Sequence, residues 1–201
     1  SHNYSSGWQL YESRWKVQDL KLIPLVTKKP KLENFEVKNK KILIWGEQGI
    51  GDDIIHSTIL PDALKTDNEF IVVLDSRLLD LYKASFKDFK NVVFLDSADN
   101  EDLYDYHLPF ASLGQFFRNS KQDFLNQKIP LLEADKAYTK TLRNRINSGN
   151  KHICGISWMS KNPKIGDSKS MRLEDFKSIF SLPGIDFVDL QYGDTKKEKK
   201  E

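Results

Sequence analysis

The chain has 201 residues, with 31 Lys and Arg against 29 Asp and Glu and a formal charge of +2. That balance excludes a protein that binds nucleic acid by neutralising many phosphates, and no apolar run approaches the roughly 18 residues that span a bilayer. One cysteine, Cys154, excludes an internal disulfide framework and a cysteine-based zinc site, and a chain of this length buries a core without such staples. The first residues show no basic stretch followed by an apolar one, so no signal peptide is visible and a cytoplasmic location is expected.

In residues 5–16, SSGWQLYESRWK, the aromatics Trp8, Tyr11 and Trp15 recur at helical spacing, and Ser5 or Ser6 is the expected cap. So much aromatic area needs a partner: the main domain, upstream repeats or another chain. Residues 24–40 hold two prolines and many charges and read as a surface linker. KILIWGE (41–47) is a continuous apolar run ending at glycine, the pattern of a strand buried on both faces. GDDIIHSTILPDALK (51–65) reads as a helix opened by Asp52 or Asp53, with Pro61 expected to kink or end it.

EFIVVLD (69–75) and NVVFLD (91–96) are further strands, and SRLLDLYKASF (76–86) is a helix between them. DYHLPFASLGQFF (105–117) reads as a short strand, a turn and a helix start. Residues 133–149 read as a helix stopped by Gly149, then HICGISW (152–158) as a strand, LEDFKSIFSL (173–182) as a helix and IDFVDLQYG (185–193) as a strand. Such alternation predicts an α/β protein whose parallel sheets are covered on both faces. The expected division is an aromatic helix and linker (1–36), a Rossmann-like domain (37–150) and the beginning of a second α/β domain (151–201), as in a fragment of a longer protein.

The loop WGEQGIGDD (45–53) follows the first strand and carries Gly46, Gly49 and Gly51. Glycines let a backbone approach a ligand closely. The G-x-x-G-x-G spacing is neither the dinucleotide fingerprint nor the P-loop. Asp52 at the helix start is either a cap or a general base facing the crevice at the carboxyl edge of the sheet. His56 shares its helix face at i, i+4 and is either a partly buried helix residue or a ligand contact. Cys154 reads as an inert core thiol. His107, Gln191 and Tyr192 end strands where they can line a cleft, and Asp75 is the one feature in common with a ribose-binding acid. No cluster with metal-ligand spacing stands out.

GEQGIGDDIIHSTILPDALK, GWQLYESRW (7–15), YHLPFASLG (106–114) and GISWMSKNPKIGDSKSMRLEDF (155–176) together carry a resemblance that covers nearly the whole chain. It resembles bacterial proteins in which tetratricopeptide repeats precede a glycosyltransferase-like region, related to the family-nine heptosyltransferases of GT-B fold. The resemblance implies two Rossmann-like domains facing a cleft, the first for a glycan or protein acceptor and the second for a nucleotide-sugar donor, with no metal or other cofactor. It maps the proposed general base onto Asp52, and Gly49, Gly51 and His56 around it are the expected substrate- or donor-binding residues of the first domain. It makes the Lys169-Ser170 pair a donor-phosphate contact, and Trp158, Ser160, Lys161 and Asn162 follow the first strand of the donor half. The plainer reading makes Trp158 a core cap and Lys161, Lys164 and Lys169 solvated charges. The later donor segment of the family is missing, so this chain alone is expected to have little or no transferase activity. A non-catalytic sugar- or protein-binding scaffold is the alternative.

Overall fold

Four strands, β1 (Lys41–Trp45), β2 (Glu69–Val73), β3 (Val92–Leu95) and β4 (Tyr106–Pro109), form one all-parallel sheet in the order β3-β2-β1-β4. The chain steps outward from β1 to β3, then returns to the opposite side of β1 for β4. This computed structural model describes residues 3–146, 149, 151–160, 166–196 and 199. It comprises two compact units, Ser1–Ala134 and Asp135–Glu201. The apolar run of β1 is central as expected, with Ile42, Leu43, Ile44 and Trp45 all buried.

The first helix, α1 (Tyr4–Tyr11), continues as a 3₁₀ segment through Lys16. Its cap is Asn3, whose Oδ1 accepts from Ser6 N at 3.2 Å, rather than Ser5 or Ser6. The aromatic face finds its partner within the first unit. Trp8 Nε1 donates to Arg118 O at 2.7 Å, and Trp15 packs on Trp45 with ring centroids 5.8 Å apart. The segment expected to be a surface linker does more than connect. Leu32 N donates to His107 O, which adds a bridge beside β4, and Leu32, Phe35 and Val37 join the core.

The 51–65 region is two helices, α2 (Ile50–His56) and α3 (Leu60–Ala63), joined by a 3₁₀ turn. Pro61 opens α3 instead of ending a helix, since the first turn needs no N–H donor. With α4 (Leu79–Ser85) these elements cover the face made by Ile42, Ile44, Phe70, Val72, Phe94 and Leu108. The other face has no such helices. Leu43, Trp45, Ile71 and Val73 pack there against Trp15, Leu25, Ala98 and Tyr104. Both faces are therefore covered, but α-helices cover only one of them. The cause is the return from β3 to β4, which carries a single 3₁₀ turn, Glu101–Leu103.

After β4 come α5 (Gly114–Phe117) and α6 (Lys121–Leu125). A Cβ on Gly114 falls inside the indole of Trp8. Gly114→Ala is therefore expected to lower the unfolding free energy by about 1–2 kcal/mol and to expose the tryptophan. Denaturant unfolding followed by tryptophan emission measures both, and unchanged values would show that α1 does not seat there.

The second unit holds α7 (Lys136–Ile146), α8 (Lys177–Phe180) and the parallel pair β5 (His152–Ile156) and β6 (Ile185–Asp189). These two strands form their own sheet and do not extend the first. The strand expected over 152–158 forms over His152–Ile156, and its residues are exposed or half-buried. Cys154 is accordingly exposed, not a core thiol.

Candidate functional site

In an open parallel sheet, ligands bind outside the carboxyl ends of the strands, beside the point where strand order reverses. That point lies between β1 and β4 here. It is occupied by the protein's own side chains. Arg14, 3% exposed, donates through Nε and Nη2 to Glu47 Oε1 at 3.1 and 2.9 Å and through Nη2 to Ser112 Oγ at 2.9 Å. Its Nη1 reaches Glu12 Oε1 at 2.7 Å, and Lys31 bonds the other Glu12 oxygen at 2.6 Å. The N-terminal segment thus ties the loop after β1 to the loop after β4. Glu47 Oε2 is buried with no hydrogen-bond partner. Burial pushes the Glu47 carboxyl above its ordinary range, with Arg14 pulling the other way.

Beside this plug, a crevice of about 390 Å³ opens over the carboxyl ends of β1, β2 and β3. Gly46, Gln48, Asp53, Asp75, Arg77 and Asp96 line it. Asp75 is engaged with its neighbour: its Oδ1 accepts from Arg77 N and Nε, and its Oδ2 from Arg77 Nη2. These bonds pull its carboxyl down to about 2. Asp53 is different. It is 6% exposed, and its carboxyl is raised to about 7, by burial first and then by the charges of Glu47, Asp52 and Asp75. Beneath it, Tyr82 Oη lies 2.5 Å from Ser57 Oγ, which itself donates to Ile54 O. Among the described residues, no three His, Cys, Asp or Glu side chains converge to hold a metal ion.

The other first-unit residues singled out from the sequence lie around α2. Asp52 Oδ2 accepts from Gly49 N at 3.2 Å, a helix-start bond in which the third helical residue reaches back to the residue before the helix. Asp52 is not among the residues that line the crevice; Gly49 is. His56 lies 6.3 Å from the Tyr11 ring, and burial lowers its pKa, with Asp52 opposing. Gly51 is exposed, with open space where a Cβ would stand. His107 accepts from Trp45 Nε1 through Nδ1 at 3.2 Å, and burial lowers its pKa.

In the second unit, Gln191 organises the loop after β5. Its Oε1 accepts from Ser157 Oγ, Trp158 N and Met159 N at 3.0, 2.9 and 2.8 Å, and its Nε2 donates to Met159 O at 2.9 Å. Trp158 is buried and lines a hollow of about 360 Å³ with Met159, Met171, Arg172 and Phe180. Ser170 Oγ accepts from Ser160 N at 2.9 Å and donates to Gly166 O at 2.7 Å, so its hydroxyl closes the loop on itself. Lys169 is exposed beside it. Lys161, Asn162 and Lys164 lie outside the described residues.

No family model matches this sequence, and no solved structure matches it. It is similar to Protein FlbA of Caulobacter vibrioides, 25% identical over 222 residues that cover 96% of this chain and 35% of FlbA. The chain therefore spans about a third of that relative's length. No helix among the described residues is long and apolar enough to cross a membrane.

Three residues of this region, Asp53, Glu47 and Arg14, carry weight that the sequence reading missed or left open. The signal for Asp53 was present. It sits three residues after Ile50 and four before Ser57, on the inward stripe of α2, where a carboxylate is out of place.

The raised Asp53 carboxyl has a thermodynamic consequence. The unfolded chain loses this proton near pH 4, whereas the folded protein keeps it until about 7. Stability from this group is thus present at low pH and is lost as pH rises from about 4 to 7. Asp53→Asn, which stays neutral, is expected to raise the unfolding free energy at pH 8 by about 1–3 kcal/mol and to change it little at pH 4. Urea unfolding at both pH values checks this, and an equal effect at both would remove the buried-carboxyl account.

Proposed function

We propose that this chain belongs to a glycosyltransferase of GT-B type, a Rossmann-like first unit holding a hydroxyl acceptor and a second unit beginning the nucleotide-sugar half. The observation that carries the reading is the pair of aspartates after β1, with one carboxyl buried in a crevice at the carboxyl edge of a parallel sheet. Glycosyl transfer needs a group beside the acceptor hydroxyl that accepts its proton while the anomeric carbon loses its nucleotide phosphate. A buried carboxyl with a pKa near neutrality is suited to that work. The separate β5-β6 unit supports the two-part organisation, and the resemblance of residues 45–65 and 155–176 supports the reaction class.

A second reading, a binding scaffold without catalysis, is favoured by two observations. The carboxylate of Asp52 caps its helix, and the hydroxyl of Ser170 is fully engaged within its own loop. Calorimetric titration of the full-length protein with UDP-, GDP- and CMP-activated sugars separates the two. Binding with a defined stoichiometry for one of them supports the enzyme; no heat with any of them supports the scaffold.

A further inference from the structure

We infer that β3 is a pairing edge for a second copy of this chain: two β3 strands join antiparallel across a two-fold axis, and their sheets become one. The inference is independent of both functional readings above. Sheet order, the make-up of the edge and the charge at its two ends carry it.

β3 is an outer strand of the order β3-β2-β1-β4. The opposite outer strand, β4, has cover, because Leu32 N donates to His107 O and His107 N donates to Pro30 O. No strand or bridge among the described residues lies outside β3. On its inner side, the carbonyls of Asn91 and Leu95 accept from Phe70 N and Leu74 N at 2.8 and 3.0 Å. Backbone groups of alternate residues point to opposite edges of a strand, so Val92 and Phe94 turn their N–H and C=O groups outward. Such a row is a template for another strand.

Natural edges are commonly guarded by a charge within the strand, a proline or a bulge. β3 is Val-Val-Phe-Leu and pairs with β2 residue for residue, so it has none of these. Val93 leaves 55% of its surface in solvent. Beside it lies a hollow of about 250 Å³ whose apolar lining includes Ile71, Leu95 and the exposed Leu103.

Charge selects the partner and its direction. Lys87 and Lys90, with Asp88 between them, precede β3, whereas Asp96, Asp99, Glu101 and Asp102 follow it with no cation among them. A parallel neighbour of the same sequence sets like ends together. An antiparallel copy sets each basic end against an acidic one. That arrangement is self-complementary and closes at two chains.

The outward groups fix a register. Val92 exchanges both backbone hydrogen bonds with Phe94 of the copy, and Phe94 does the same with Val92 of the copy. Val93 then meets its own counterpart on the axis, and Lys90 falls opposite Asp96 of the copy on both sides. Lys90 Nζ donates to Lys87 O at 3.3 Å and has further hydrogens to give. A pairing of strands this short buries less than the ~1,200 Å² of a standard interface, so the dimer is expected to be weak, with a Kd of about 10–100 µM.

Sedimentation equilibrium of the 201-residue chain from about 5 to 500 µM tests this, at about 50 and 500 mM salt. A monomer–dimer equilibrium is expected that weakens about three- to tenfold at the higher salt. Val93→Lys sets like charges on the axis and is expected to weaken the dimer more than about tenfold. Lys90→Glu is expected to weaken it about three- to tenfold, and adding Asp96→Lys to that variant is expected to restore it. Circular dichroism checks that each variant is folded; if Val93→Lys unfolds, the charge-swap pair decides. A measurement without variants is hydrogen exchange at both concentrations. Protection of the Val92 and Phe94 amides is expected to rise about fivefold at the higher one, with β1 unchanged. A monomer at every concentration overturns the inference. So does a dimer that leaves these two amides unprotected or survives Val93→Lys, since it forms on another surface. A double variant as weak as Lys90→Glu alone overturns the antiparallel register.

Discussion

Arg14→Met is expected to lower the unfolding free energy of the first unit by about 3–5 kcal/mol at pH 8, the usual effect of removing one partner from a buried ion pair. The guanidinium is enclosed. Its side chain and that of Glu47 are 2% and 1% exposed, and it lies over the rings of Tyr11 and Trp15 at 4.8 and 5.0 Å. Methionine replaces the stem but leaves the Glu47 carboxyl buried with no cation. Burial already raises that carboxyl, and loss of Arg14 raises it further. A raised carboxyl contributes stability at low pH that is lost as pH rises, so the defect is expected to shrink near pH 5. The double variant Arg14→Met/Glu47→Gln removes the orphaned charge and is expected to recover about half of the loss. Chemical denaturation of the three proteins at pH 5 and 8 decides the matter. Equal stability of Arg14→Met and wild type at pH 8 would exclude the buried pair.

The second large effect is local to the other unit. Gln191→Leu keeps the volume but removes the oxygen that accepts from Trp158 N and Met159 N. Two backbone donors lose their acceptor, one of them on a buried residue, at a cost of about 2–4 kcal/mol. Hydrogen exchange reads this directly. Protection of the Trp158 and Met159 amides is expected to fall about 30- to 1,000-fold, while that of β1 is unchanged. Gln191→Glu retains an acceptor and loses the bond to Met159 O, so it is expected to fall between the two. Wild-type protection in Gln191→Leu would show that the loop after β5 holds its shape without this side chain.

Much of the first unit was legible because its signals are local. KILIW is apolar throughout, and only a central strand with both faces covered buries such a run. The strand starts and ends of β2, β3 and β4 lie within a few residues of those expected, since turn residues and charges bound each apolar run. Less was legible in the second unit. HICGISW has the apolar content of a buried strand, yet β5 has one neighbour and its residues remain largely exposed. Apolar content reports what a segment tolerates, and burial depends on which elements arrive to cover it.

At the candidate site, the glycine-rich loop was readable in the sequence, and the different surroundings of its two aspartates were not. A glycine-rich loop after the first strand of an α/β chain marks the carboxyl edge of the sheet, and the crevice is there. Asp52 and Asp53 both suit the start of α2 as judged from sequence. Arg14, in a segment of aromatics and mixed charges, gave no hint that it would be buried 33 positions away in sequence against Glu47.

Composition and periodicity determined by themselves that this is an α/β chain with a central parallel strand and a loop built for close approach, because these follow from burial and backbone freedom within a few residues. Tertiary structure alone decided which aspartate turns inward and what fills the strand-order reversal. Successive residues on a helix point about 100° apart, so one position separates a cap bonded to Gly49 from a carboxyl enclosed above Gly46, and only the packing of α2 on the sheet selects between them.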